Sequence, residues 1–213
     1  MPLFPFLSLR LALLPGLLAV AVAVMAQTNP PKVLVLGDSI SAAYGMSLEQ
    51  GWVTKMSQRL AEDDVAAEFV NASISGETSG GALQRLPKLL ESHAPEVVII
   101  ELGGNDGLRG YPLGKLQQNL AQLVQLSDEA GARTILVPME IPPNYGRRYA
   151  LGFRNLYPTV AGETGATLSP FIMDGVATQP ALMQEDGIHP TAEAQSLLVD
   201  NMMSTIKQAL QTP

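Results

Sequence analysis

An α/β domain with a mostly parallel sheet, covered by helices on both faces, is the fold class this sequence predicts. Two observations carry it. Short apolar runs of strand length alternate along the chain with longer segments whose apolar residues recur at helical spacing. The first such run, Val33-Leu34-Val35-Leu36, stops abruptly at Gly37-Asp38-Ser39-Ile40. That delivers a serine to the carboxyl end of a buried strand, where open parallel sheets place their chemistry.

Taken in order, Lys32–Leu36 reads as a buried strand. Gly51–Glu62 carries Trp52, Val53, Met56 and Leu60 on one helical face. Ala66–Asn71 is a second strand. Gly80–Ser92 is a helix with Leu83, Leu86, Leu89 and Leu90 inward despite Pro87. Glu96–Leu102, with Val97-Val98-Ile99-Ile100, is a fully buried strand. Leu113–Glu129 is a long amphipathic helix and Thr134–Pro138 a fourth strand. Arg147–Thr164 is helical, with Pro158 expected to interrupt or kink it. Ala166–Leu168 is a short fifth strand. Thr191–Leu210 is the terminal helix, facing inward through Leu198, Met202, Ile206 and Leu210. Right-handed crossovers leave few topologies for this order.

The chain has 213 residues, of which 46% are hydrophobic, enough for one domain with a full core. Its net charge of −7 and the lack of any Lys/Arg-rich block argue against a nucleic-acid partner. Cysteine is absent, which removes disulfides, thiolate metal sites and a cysteine nucleophile. Residues 1–26 are of another kind: Arg10 precedes an apolar stretch from Leu11 to Ala26 that turns polar at Gln27. This reads as a signal peptide cut after Ala26; the alternative is an uncleaved membrane anchor, for which the stretch is short and interrupted by Pro15-Gly16. The expectation is a single domain over 27–213, exported to a periplasm, with secretion as the alternative.

Three strand ends converge on one edge of such a sheet. They carry Gly37-Asp38-Ser39, then Asn71-Ala72-Ser73-Ile74-Ser75-Gly76, then Gly103-Gly104-Asn105-Asp106. Glycine lets backbone N–H groups approach a ligand closely, and an asparagine amide adds an uncharged donor. Those are the parts of an oxyanion hole. The fourth block is Asp186-Gly187-Ile188-His189-Pro190. Asp186 stands three residues before His189 and can fold back to hold the imidazole in one tautomer. Ser39, His189 and Asp186 then form a nucleophile, base and orienter. Each block alone is a common turn or cap; their ordered combination is not. His93 ends a helix, where it meets the helix dipole, and Glu62-Asp63-Asp64 is a solvated helix end. No His/Asp/Glu cluster has metal spacing. Asp38 and Asp106 read as loop hydrogen-bonding groups. Gly37-Asp38-Ser39-Ile40-Ser41 lacks the second glycine of the Gly-x-Ser-x-Gly elbow, and no Gly-x-Gly-x-x-Gly or P-loop pattern is present.

These four blocks resemble those of the SGNH, or GDSL, hydrolase superfamily. The likeness is strongest to its bacterial periplasmic branch acting on acyl-CoA thioesters, lysophospholipids and aryl esters, through Glu101–Gly110 and Pro143–Tyr149. The resemblance implies a three-layer α/β/α, flavodoxin-like fold with a five-stranded sheet. It implies Ser39 as nucleophile, His189 as base, Asp186 as orienter, and Ser39 N–H, Gly76 N–H and the Asn105 side chain as oxyanion hole. No cofactor and no metal are expected. The loop Gly107–Pro112 would line the acyl site, with Leu108, Tyr111, Ile141 and Pro142 as an apolar wall. Expected substrates are small acyl esters, thioesters or lysophospholipids, handled by a monomer without a stable membrane anchor. The alternatives are a carbohydrate deacetylase of the same superfamily and a non-catalytic exported binder of acyl groups or glycans.

Overall fold

A computed structural model describes residues 29–211. Residues 1–26, read above as a signal peptide, lie outside the described residues. The chain runs β1 (Lys32–Gly37), α1 (Trp52–Glu62), β2 (Glu68–Asn71), α2 (Ser79–His93), β3 (Val97–Glu101), α3 (Gly104–Leu108), α4 (Leu113–Glu129), β4 (Arg133–Leu136), α5 (Arg147–Thr164), β5 (Thr167–Leu168) and α6 (Gln195–Gln211). The five strands form one sheet in the order β2-β1-β3-β4-β5, and every pairing is parallel.

That order follows from the crossover rule. The chain steps from β1 outward to β2, then doubles back past β1 to β3 and continues to β4 and β5. Right-handed crossovers therefore put α1 on one face and α2, α4 and α5 on the other. The packing agrees: α4 lies between α2 and α5, and α6 returns to pack on α1. The central strands are buried on both faces, which is why Val33–Leu36 and Val97–Ile100 read as continuous apolar runs. The edge strand β2 is only half-buried, and β5 is exposed.

Three local departures from the sequence reading have physical causes. Helix α5 runs unbroken through Pro158, which sits on its exposed face. There the carbonyl that loses its intrahelical donor can bond to water instead. Helix α6 begins at Gln195 rather than Thr191; the residues before it close i→i+3 turns instead, Ala194 N–H to the Thr191 carbonyl at 3.2 Å and Gln195 N–H to the Ala192 carbonyl at 3.4 Å. The segment after β3 is not a loop but the short helix α3, entered through Gly103 at φ 112. Among the described residues, no helix is long and apolar enough to cross a membrane, and no group of three or more His, Cys, Asp or Glu residues could hold a metal ion.

Candidate active site

The sheet order reverses between β1 and β3, and the crevice at that switch point is where such sheets bind ligands. β1 and β3 run in register from Val33 beside Val97 to Gly37 beside Glu101. Their carboxyl ends therefore emerge together, one carrying Ser39 and the other Asn105. The turn after β1 closes through Ala42 N–H to the Asp38 carbonyl at 2.9 Å and Tyr44 N–H to the Ser39 carbonyl at 3.0 Å. The Asp38 side chain accepts from its own turn, from Ile40 N–H at 3.1 Å.

Ser39 Oγ lies 2.8 Å from Nε2 of His189, and Nδ1 of the same ring lies 2.6 Å from Oδ2 of Asp186. With Nδ1–H donated to the carboxylate, Nε2 is the unprotonated nitrogen and accepts from the serine hydroxyl. The turn carrying both residues is tightly determined. Asp186 Oδ1 accepts the N–H groups of Ile188 and His189 at 2.9 and 3.0 Å, and Gly187 sits at φ 65. Burial pushes the Asp186 carboxyl up, but the His189 ring and these two N–H groups outweigh it and bring it down to about 2.

Gln184 joins this turn to the nucleophile turn. Its Nε2 donates to the carbonyls of Tyr44 at 2.9 Å and Pro190 at 3.0 Å, while its N–H donates to the His189 carbonyl at 2.7 Å. Tyr44 lays its ring against the imidazole, with centroids 4.3 Å apart and planes 32° apart. Neither residue was singled out from the sequence. Both lie on irregular segments with no periodicity to mark them.

Asn105 lies in the first turn of α3, and its Nδ2 donates to Asp38 Oδ2 at 3.2 Å. An amide nitrogen carries two hydrogens. With one directed to Asp38, the other is left for a ligand in the crevice that Asn105 and Ser39 both line. Desolvation raises the Asp38 carboxyl to about 6, against Ile40 N–H, the charge of His189 and the nearby side chains of Glu101 and Asn105. Asp106 fixes the next turn to α2, accepting Ser79 N–H at 2.9 Å and Ser79 Oγ–H at 2.6 Å. Both aspartates are thus hydrogen-bonding groups of their turns. Gly76 holds φ 80 in the loop before α2, and its carbonyl accepts from Arg109 Nη2 at 3.1 Å. That contact ties the Gly76 loop to the end of α3, a role for Arg109 that the sequence did not reveal.

A cavity of about 490 Å³ opens beside Ser39, Asn105 and His189. Leu108, Ile141 and Pro142 line it, with Met139, Phe171, Met173 and Met183. Gly76 and Tyr111 are not among its lining residues. Tyr111 stands 42% exposed because Gly110, at φ 67, reverses the chain just before it; its carbonyl accepts from Tyr149 Oη at 2.7 Å. The wall it was expected to supply comes instead from the segment after β5. His93 sits in the last turn of α2, away from this crevice.

A serine, an imidazole and a carboxylate linked in series at the switch point of a parallel sheet define an α/β serine hydrolase without the Gly-x-Ser-x-Gly elbow. The chain belongs to the GDSL-like lipase/acylhydrolase family, whose sequence model matches residues 35–197. It is 46% identical over 202 residues to esterase TesA of Pseudomonas aeruginosa, covering 95% of this chain and 100% of that one. It is 43% identical over 174 residues to the thioesterase 1/protease 1/lysophospholipase L1 of Escherichia coli, covering 82% of each. Among solved structures, the psychrotrophic esterase EstA from Pseudoalteromonas, described as inhibited by monoethylphosphonate, superposes with a TM-score of 0.82 at 46% identity, over 85% of this chain and 99% of that one.

Proposed function

We propose that this protein hydrolyses carboxylic esters and thioesters of small acyl substrates through an acyl-Ser39 intermediate. The observation that carries the reading is the unbroken series Ser39 Oγ, His189 Nε2, His189 Nδ1 and Asp186 Oδ2, with links of 2.8 and 2.6 Å. In the first half-reaction Oγ attacks the acyl carbonyl as its proton passes to Nε2. The new C–O bond leaves a tetrahedral oxyanion facing the Ser39 and Gly76 N–H groups and the Asn105 amide. Collapse expels the alcohol or thiol, which takes the proton from Nε2. Water repeats the sequence on the acyl-enzyme and regenerates the serine.

The apolar lining of the cavity, with its three methionines, supports an acyl chain rather than a sugar as occupant. The names of the relatives point the same way, to esters, thioesters and lysophospholipids. The purified protein should react once per chain with a fluorophosphonate, and the Ser39→Ala variant should not. Label retained on Ser39→Ala refutes the assignment. Medium-chain p-nitrophenyl esters should be turned over faster than acetylated sugars; the reverse preference favours a deacetylase.

The same reading includes export, with residues 1–26 removed, and action as a monomer. Intact-mass measurement of protein recovered from the periplasm tests the first. Light scattering on the eluting protein tests the second.

A further inference from the structure

Strand β3 holds one charged residue inside an apolar run. Val97, Val98, Ile99, Ile100, Glu101 and Leu102 are all 0% exposed. A carboxyl group in such a place is strongly unfavourable unless its oxygens are put to use. One of them is. Oε2 accepts both Asp38 N–H at 3.3 Å and Ser41 Oγ–H at 2.7 Å. A single oxygen thus grips the nucleophile turn on both sides of Ser39. The other oxygen, Oε1, is buried with no hydrogen-bond partner among the described residues.

The grip extends further. Ser41 Oγ accepts from Trp52 Nε1 at 3.1 Å, and Trp52 N–H donates to Gln195 Oε1 at 2.9 Å. Gln195 Nε2 in turn donates to the Thr191 carbonyl at 3.1 Å, two residues beyond His189. The chain of bonds therefore runs from β3 under the serine turn to the far side of the histidine turn. Gly37 reflects the same arrangement, since a Cβ there would stand 2.7 Å from Glu101 Oε2 and 2.8 Å from Ser41 Oγ. The turn has given up a side chain to let the carboxyl in.

We infer that Glu101 is a positioning residue for acyl transfer: from beneath the sheet edge it sets where Ser39 Oγ stands relative to His189 and Asn105. The inference rests on the reading of Ser39 as nucleophile. Burial, and then the charge of Asp38, push the Glu101 carboxyl well above the usual carboxylate range. A glutamine reproduces that shape and still offers an oxygen to Asp38 N–H and Ser41 Oγ–H; an alanine offers nothing. Misplacing a reacting atom by about 1 Å costs about 10²-fold in rate without weakening substrate binding in proportion.

The test compares Glu101→Ala, Glu101→Gln and Ser41→Ala in steady-state ester hydrolysis and in the rate of fluorophosphonate labelling. Glu101→Ala should lose about 10²-fold in kcat and in labelling rate, with KM changed by less than about threefold. Glu101→Gln should recover most of that loss. Ser41→Ala, which removes the same bond with little change of volume, should lose about five- to tenfold in kcat. It decides the matter if Glu101→Ala does not fold. A folded Glu101→Ala with the parent's kcat, or Ser41→Ala at parent rate, overturns the inference. So does a Glu101→Gln no better than alanine. Ser39→Ala in the same panel separates the two readings. If it stays active, the nucleophile assignment and the positioning role both fail. If it is dead while Glu101→Ala is unimpaired, only the positioning role fails.

Discussion

Replacing Asp38 by asparagine should separate stability from turnover. The carboxyl is 3% exposed, and desolvation raises it from 3.8 to about 6 despite the groups that favour its charge. The sign follows from linkage. Between those two values the folded protein still holds a proton that the unfolded chain has released. Stability therefore falls as pH rises through that window and stays low above it. At about 1.4 kcal/mol for each tenfold change in the ionisation constant, the rise corresponds to about 3 kcal/mol. A carboxamide in its place has no proton to lose in this range. The stability of Asp38→Asn relative to the parent should thus improve by about 3 kcal/mol between about pH 3.5 and about pH 7.5. Urea unfolding across that range measures it; carboxylates remote from Asp38 cancel in the difference, and Glu101, raised in part by the Asp38 charge, adds to the gain in the same direction. Turnover should move the other way. Asp38 uses one oxygen for Ile40 N–H and the other for Asn105 Nδ2. A carboxamide has one oxygen for two donors, so Asn105 loses its anchor and kcat should fall by about 10²-fold, at the low end for a lost oxyanion donor. A stability difference that stays flat with pH, or a parental kcat, refutes the reasoning.

Asn105→Ala should lower kcat by about 10²–10³ while leaving the urea midpoint close to the parent's, since its half-buried side chain contributes a single hydrogen bond, to Asp38 Oδ2. Gly37→Ala should destabilise by about 1–3 kcal/mol in the same unfolding assay and lose turnover, because its methyl meets Glu101 and Ser41 at 2.7 and 2.8 Å. Tyr44→Ala should lose up to about tenfold in kcat, the ring no longer lying over the imidazolium formed during transfer, whereas Tyr44→Phe should keep the parental rate. Equal losses in alanine and phenylalanine would assign the effect to the hydroxyl instead.

How much of this was legible in the sequence depended on whether a residue's meaning is local. The strands and long helices were, because burial on two faces leaves a continuous apolar run and burial on one leaves a 3.6-residue period. Ser39 and Asn105 were, because each follows a buried run that breaks off at glycine, and Asp186 and His189 were, because they share a Gly/Pro-bounded turn just before the last helix. The helix α3 was not, since Gly-Asn-Asp-Gly composition reads as loop and only tertiary contacts, such as Asp106 with Ser79, hold it wound. Tyr111 was misplaced because a glycine at φ 67 turns the chain where hydropathy alone continues it. Met139, Met173 and Met183 were missed as cavity lining because they come from two segments, one after β4 and one after β5, that only the folded sheet brings together. Glu101 was the missed signal that the sequence did contain: a lone acid within Val97–Leu102, where every neighbour is apolar.

That acid changes how the three residues at the end of β1 are understood. Each answers a group delivered by a different part of the chain. Gly37 is small because Glu101 needs its space, Asp38 is acidic because Ile40 and Asn105 each need an oxygen, and Ser39 faces His189. The run of three is therefore a junction between β3 and the histidine turn rather than a self-contained motif. A serine placed on a similar turn elsewhere would have the nucleophile's atoms without its supports. The pair of buried acids beneath it, both raised by desolvation, lowers the stability of the fold at neutral pH. Such a cost persists where geometry at the reacting serine matters more than the last few kcal/mol of stability.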